Sequence, residues 1–274
     1  MIRFEDVSVD YATVQGGRIR ALNHIHLTLD DGEYVAVMGP NGSGKSTLAR
    51  LCNGLVLPSA GTVHIDEFRI TADFSRHIPD IRRCVGMVFQ NPDNQIVSTT
   101  VEREIAFGLE NLGVPYDEMQ ERVAEALQTF DLLHLRNRAP HQLSGGEKQR
   151  LALAAVMVMQ PRHLILDEPT ALLDFRHQSE FLQYIRRLRE SAGGRPPMVM
   201  HITHFAPEAL FATRLLVLHR GEVYMDGTPE DIFLQESGLR EIGIDPPIEF
   251  SAFLRLREKL PIKSVEDLRL RPIL

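Results

Sequence analysis

Tyr34 to Met38 is an unbroken apolar run, and it ends directly on Gly39-Pro40-Asn41-Gly42-Ser43-Gly44-Lys45-Ser46-Thr47. This junction constrains the fold more than any other feature of the chain. An apolar run without alternation suits a strand covered on both faces, the usual state in a parallel sheet. The following stretch fits G-x-x-x-x-G-K-[ST], and Lys45 to Leu55 is helix-like. Strand, glycine-rich turn and helix in that order predict an α/β domain. The residue types suit one ligand chemistry. Glycines let backbone N–H groups curl around phosphate oxygens without Cβ clashes, and the helix start adds orphan donors and partial positive charge. Lys45 supplies a point charge to the β- and γ-phosphates, and the Ser46 hydroxyl suits Mg2+.

Composition removes several alternatives. The chain has 274 residues, 43% apolar and 24% charged, an ordinary globular balance rather than a disordered one. Its net charge is −7, so a strongly basic nucleic-acid surface is not expected. The longest apolar run, Leu151–Met159, is far short of the ~20 residues of a membrane span. Met-Ile-Arg-Phe-Glu-Asp at the start is not a signal sequence, and Cys52 and Cys84 cannot make a disulfide framework, so a reducing compartment is expected.

Strand-like alternation covers Ile2 to Tyr11, with a phase break at Glu5-Asp6, and a second stretch runs from Leu22 to Leu29 across a Gly16-Gly17 turn. The middle is helical. Val101, Ile105, Leu109 and Leu112 share a face, with Thr99 and Glu102 at capping-box spacing; Met119, Val123, Ala126, Leu127 and Phe130 form a second stripe. Strands then return at Leu164–Leu166, Val199–Thr203 and Leu215–Leu218. Beyond Gly227, prolines break short helical pieces, and Phe250, Phe253, Leu254 and Leu260 form an apolar stripe.

Leu164-Ile165-Leu166-Asp167-Glu168 is an apolar strand ending in two acids. Asp167 at the strand's C-terminal edge suits Mg2+, and Glu168 suits a general base that polarises water. Leu143-Ser144-Gly145-Gly146-Glu147 places a second glycine cradle at a helix start.

This last segment closely resembles the signature motif of ABC-type ATPases, with Glu147 where glutamine is commoner. The order of phosphate loop, signature and acidic strand strengthens the resemblance, which covers residues 1–227. It implies a P-loop core with a parallel sheet, an antiparallel N-terminal β-subdomain, an inserted helical subdomain at about 95–160, and a small helical extension at 228–274. It also implies ATP and Mg2+ as cofactors. Tyr11 resembles the aromatic that stacks on adenine. Gln90 resembles the glutamine that reaches Mg2+ and the attacking water beside the membrane-partner contact. His204 resembles the switch histidine at the γ-phosphate, and Asp174 belongs to a segment like the D-loop. Mg2+ would be held by Ser46, Gln90 and, through water, Asp167. Ser144, Gly145, Gly146 and Glu147 would close on the ATP of a partner chain in a head-to-tail dimer. Two positions depart from the pattern: Ala171 where the D-loop has serine, and Phe205 where an aspartate follows the histidine.

Gln90-Asn91-Pro92-Asp93-Asn94-Gln95, with Thr99–Val101 and Ala106–Asn111, is similar to the energy-coupling factor group, of vitamin and cobalt/nickel type. That likeness implies a second ATPase subunit, a transmembrane coupling protein and a substrate-binding membrane protein, at the cytoplasmic face of the membrane. It also implies that residues 228–274 help hold the dimer. The rival expectations are another ABC importer or exporter, and a soluble non-transport ABC ATPase. His24-x-His26 and His201-x-x-His204 lack partners at metal-ligand spacing, and Arg82-Arg83 and Arg186-Arg187-x-Arg189 read as solvated faces.

Overall fold

The computed structural model describes residues 1–13, 16–73, 77–191, 195–257 and 264–265. In chain order the first half holds β1 (Ile2–Ala12), β2 (Arg18–Leu29), β3 (Tyr34–Met38), α1 (Lys45–Cys52), β4 (Ala60–Ile65), β5 (Phe68–Ile70), α2 (Ile78–Cys84) and β6 (Val85–Val88). Three helices follow: α3 (Val101–Asn111), α4 (Tyr116–Thr129) and α5 (Gly145–Met157). Then come β7 (His163–Asp167), α6 (Phe175–Ser191), β8 (Met198–Ile202), α7 (Ala206–Ala209), β9 (Arg214–His219) and β10 (Glu222–Gly227). The chain closes on α8 (Pro229–Phe233), α9 (Glu236–Glu241) and α10 (Ile248–Leu256).

Two sheets form. The first is antiparallel, in the order β2-β1-β4-β5. The β1–β2 register slips between Phe4 and Val7, where Asp6 takes a left-handed φ of 54°. The phase break at Glu5-Asp6 is therefore a bulge, which keeps Ile2, Phe4, Val7 and Val9 all buried. The second sheet runs β10-β9-β3-β8-β7-β6 and is parallel except for β10. Its parallel strands are buried on both faces, and their alternate residues feed two cores. Ala36, Met38, Leu164, Leu166, Val199, Leu215 and Val217 pack toward α3–α5 and α6. Val35, Val37, Ile165, Met200, Ile202, Leu216 and Leu218 pack with α1 and the antiparallel sheet. The expected P-loop α/β architecture, with an antiparallel sheet, a helical block between β6 and β7 and a short C-terminal helical piece, is the one observed.

Register explains why distant motifs converge. Val37 lies beside Ile202, Ile202 beside Asp167, and Val88 beside Leu166. The residues leaving β3, β6, β7 and β8 thus emerge along one edge, the carboxyl edge where α/β sheets bind ligands.

Three local expectations are corrected. Thr100, not Thr99, caps α3: its hydroxyl accepts from the Arg103 N–H at 3.3 Å because Thr100 holds the extended backbone of an N-cap. Glu102 instead pairs with Arg136 at 2.6 Å. Arg189 does not project into solvent. It donates to the Gly32 carbonyl at 2.7 Å and lies over the Tyr34 ring, 5.1 Å from its centroid. Phe250 and Phe253 turn inward, with Phe250 against Phe233 at a ring separation of 5.5 Å, so that part of the stripe packs within this chain. Leu260 lies outside the described residues.

Candidate nucleotide site

The rim begins where β3 ends. Gly39 has a φ of 155°, and a Cβ there would lie 2.3 Å from the Leu218 carbonyl oxygen and 2.5 Å from Ser43 Oγ. At Gly44, φ is 106°, and a Cβ would lie 2.6 Å from the Ala21 carbonyl oxygen. Gly42 faces open space, so only its φ of 77° requires glycine. The loop is thus wound tightly between β2 and β9, and Gly44 hands the chain to α1. Lys45 curls back: its ammonium donates to the carbonyls of Gly39 at 2.8 Å and Pro40 at 3.1 Å. Burial lowers its pKa, partly opposed by the charges of Glu168 and Asp167. Ser43 Oγ is buried without a hydrogen-bond partner in the described structure. A cradle closed to side chains, holding a buried ammonium and an orphaned hydroxyl, is complementary to an anion.

The carboxylates face it. Asp167 ends β7 at 6% exposure and accepts from the Ser46 hydroxyl at 3.1 Å. Burial raises its pKa. Glu168 follows with a left-handed φ of 51°, uncommon outside glycine, and its N–H is anchored on the Ile202 carbonyl at 3.1 Å. Its carboxylate lies between two donors. Gln90 Nε2 reaches Oε2 at 2.9 Å, and His204 Nε2 is 2.8 Å from Oε1. Tyr11 sits at the outer lip, its hydroxyl 3.3 Å from Thr47 Oγ1. Asn41 is exposed at the mouth of the loop and Pro40 is half-buried.

Behind His204 lies a group of residues that sequence reasoning missed. Glu208 is 2% exposed, and its Oε2 accepts from the Thr203 hydroxyl at 2.5 Å. Thr203 Oγ1 in turn accepts from the Phe205 N–H at 3.0 Å, so these contacts bracket His204. His201 Nε2 lies 3.5 Å from the same Glu208 oxygen, and its Nδ1 is 3.1 Å from the Tyr34 hydroxyl. Burial raises the pKa of Glu208 and holds the His201 imidazole down to about 4. The available signal was a histidine inside an otherwise apolar, fully covered strand.

The signature-like segment stands apart. Ser144 caps α5 in a complete capping box: its hydroxyl accepts from the Glu147 N–H at 3.3 Å, and the Glu147 carboxylate accepts from the Ser144 N–H at 2.7 Å. The Ser144 backbone donor holds the Glu147 carboxyl below its ordinary range. Asp174 accepts from the His177 N–H at 3.0 Å. Among the described residues, no hydrogen bond or ion pair joins Ser144–Glu147 to Gly39–Thr47. Asp6 gives His24 a partner at 2.6 Å and His26 one at 3.4 Å, so these surface histidines have a carboxylate neighbour that spacing did not reveal. Among the described residues, no helix is long and apolar enough to cross a membrane.

The fold and this rim define a P-loop ATPase of the ATP-binding cassette class. Residues 22–171 match the family described as ABC transporter, and the chain belongs to that family. Within it, the chain is similar to energy-coupling factor transporter ATP-binding proteins. It is 44% identical to EcfA1 of Listeria monocytogenes over 94% of this chain and 88% of that protein. It is 40% identical to EcfA1 of Clostridioides difficile over 96% and 94%. Among solved structures, cbiO1 of Clostridium perfringens, described as part of the ABC transporter complex cbiONQ, superposes with a TM-score of 0.75 at 34% identity, over 94% of this chain and 96% of that one. The dimeric ATP-binding cassette MJ0796, bound to ADP and phosphate after hydrolysis, gives a TM-score of 0.75 at 30% identity over 84% and 99%.

Proposed function

We propose that this chain hydrolyses ATP to energise import of a small substrate, a vitamin or a transition-metal ion, through an energy-coupling factor transporter. The observation that carries this reading is the clamp on Glu168. A carboxylate held between Gln90 and His204, beside a phosphate cradle, is arranged to polarise water facing a γ-phosphate. In this reading Asn41–Thr47 and Lys45 bind the phosphates, Tyr11 stacks on adenine, and His204 contacts the γ-phosphate. The donor set fits Mg2+: the Ser46 hydroxyl with the buried Asp167 carboxylate, and the Gln90 amide beside Glu168, offer hard oxygen ligands, and Asp167 is a buried acid in want of a cation. Ser46, Gln90 and, through water, Asp167 would hold the ion, which neutralises developing phosphate charge.

Ser144, Gly145, Gly146 and Glu147, with Asp174, face a second ATPase subunit and complete its nucleotide site. The extension at residues 228–274 adds to that contact, and because Phe250 and Phe253 are buried, Ile248, at 80% exposure, is the most outward large apolar residue among its described residues. A transmembrane coupling protein and a substrate-binding membrane protein complete the assembly at the cytoplasmic face. A cleft of about 400 Å³ lined by Leu55, Phe89, Gln95, Phe107 and Met159 lies beside Gln90 and suits an apolar segment of the coupling protein. Isolating the assembly by a tag on this chain tests the reading. The expected companions are one coupling and one small substrate-capturing membrane protein; a periplasmic binding protein in their place overturns it.

A further inference from the structure

We infer that His177 is a positioning residue that locks the signature segment to the D-loop, so that both meet the partner's nucleotide as one unit. The inference rests on the reading that Ser144–Gly146 act on the partner's site. Three contacts carry it. Asp174 Oδ1 accepts from the His177 N–H at 3.0 Å, which is ordinary capping of α6. Capping needs one carboxylate oxygen. The other, Oδ2, is 2.8 Å from His177 Nδ1 and so fixes the ring's orientation. The ring held in this way lies flat against the signature: a Cβ on Gly146 would be 2.9 Å from His177 Cδ2 and 3.2 Å from Cγ. A histidine at this position therefore meets the D-loop carboxylate with its Nδ1 edge and the signature glycine with its ring face.

Neighbouring contacts tighten the same seam. Gln178, the next residue, donates to the carbonyls of Leu173 at 3.1 Å and Thr170 at 3.3 Å, pinning the D-loop to the first turn of α6. The Leu172 carbonyl oxygen lies 3.8 Å from the Cβ position of Gly145. The His177 N–H and ring hold the Asp174 carboxyl below its ordinary range, as expected for a carboxylate accepting both bonds. Glycine at 146 is thus set from within the chain as well as by any phosphate that approaches it. A loop that reaches another subunit's ligand works only if its own support is rigid.

The test uses the ATPase assembly isolated with its membrane partners, carrying His177→Ala, His177→Asn or His177→Phe. Asn keeps a donor near the Nδ1 position and loses the ring face; Phe keeps the ring and loses the link to Asp174. All three are expected to lower kcat roughly three- to thirty-fold, the range of coupling through a packed contact network. ATP affinity of the isolated chain, whose phosphate loop is untouched, is expected to stay within about twofold, as are melting midpoints within a few degrees. Wild-type turnover in Asn reduces His177 to a cap, and wild-type turnover in Phe reduces it to packing; either overturns the inference. Weakened ATP binding in the variant chain itself also overturns it. Ser144→Arg, run alongside, tests the underlying reading: normal turnover there removes the signature's role, whereas normal turnover in His177→Ala with a dead Ser144→Arg removes only the lock.

Discussion

The rim of the central sheet and the signature–D-loop face are built in opposite ways. Rim residues are wired inward: Asp167 to Ser46, Glu168 to Gln90 and His204, and Thr203 to the buried Glu208. On the signature face, Ser144 pairs with Glu147 and Asp174 with His177, and only the following residues, Lys148 and Gln149, reach out, to Asp93 and the Phe89 carbonyl, among the described residues, while Leu172 and Phe175 project outward at 62% and 74% exposure. The rim is therefore finished by the chain that owns it. The other face is preorganised yet makes no hydrogen bond to Gly39–Thr47 among the described residues, which is the arrangement the proposed shared site would need. Changes at the rim should act within one subunit and should be large where they touch Glu168.

Glu168→Gln breaks the rim at its chemical centre. The amide keeps the shape but loses the charge that attracts a proton from water, so turnover should fall ~10²- to 10⁴-fold. ATP binding should persist, because the phosphate loop does not use this carboxylate. A single-turnover assay with an equilibrium binding measurement separates the two, and unchanged turnover would remove Glu168 as the base.

How much of this was legible follows from where each constraint resides. Gly39, Gly42 and Gly44 carry positive φ angles and Lys45 opens a helix, so the loop could be read from adjacent residues, although the Leu218 and Ala21 carbonyls that also exclude side chains at Gly39 and Gly44 come from distant strands. The burial of Val101, Ile105, Leu109, Val123 and Leu127 follows from helical spacing for the same reason. Glu208 could not be found this way, since its carboxyl is also hydrogen-bonded to Thr170 in the turn after β7, which the pairing of β7 with β8 brings alongside. Arg189 looked like part of a charge run because nothing local announces Gly32 or the Tyr34 ring. Thr99 and Thr100 are chemically equivalent caps, and only the backbone angle at Thr100 separates them.

The buried wall behind the rim makes the next largest prediction, a pH effect on stability. His201 stays neutral in the fold down to about pH 4, whereas the unfolded chain takes up that proton near 6.5. The unfolded state thus binds more protons between these values, and stability falls as pH is lowered from 6.5 to 4. The full offset is on the order of 3 kcal/mol at the acid end. Glu208, raised by burial and 3.5 Å away, titrates in the opposite sense and so blunts the slope in the wild type. Urea unfolding at several pH values should show a shallower acid decline in His201→Gln. Parallel curves would mean that the wall does not act through this imidazole.

Glu208→Ala is expected to cost about 1–3 kcal/mol at neutral pH, since it strands the buried Thr203 hydroxyl. Because Thr203 also receives the Phe205 N–H, the loop carrying His204 should loosen, and kcat should drop more than ATP affinity does. A stability loss with turnover intact at a permissive temperature would show that the wall supports the fold and not the histidine.

Tyr11 gives the smallest effect, because it is the part of the rim that most resembles the outer face. It lies on β1 opposite Ile19, 38% exposed, and among the described residues its side chain's polar tie is the 3.3 Å contact with Thr47. An aromatic stack on a base contributes ~0.5–1.5 kcal/mol, so Tyr11→Ala should weaken ATP binding roughly two- to twelve-fold. Tyr11→Phe, which keeps the ring, should bind as the wild type does. Inorganic triphosphate separates ring from hydroxyl: it has no base, and its affinity should be the same in all three proteins. If triphosphate binding falls in Tyr11→Ala as far as ATP binding does, Tyr11 acts through Thr47 on the phosphate loop, and the inward wiring of the rim extends to its outermost residue.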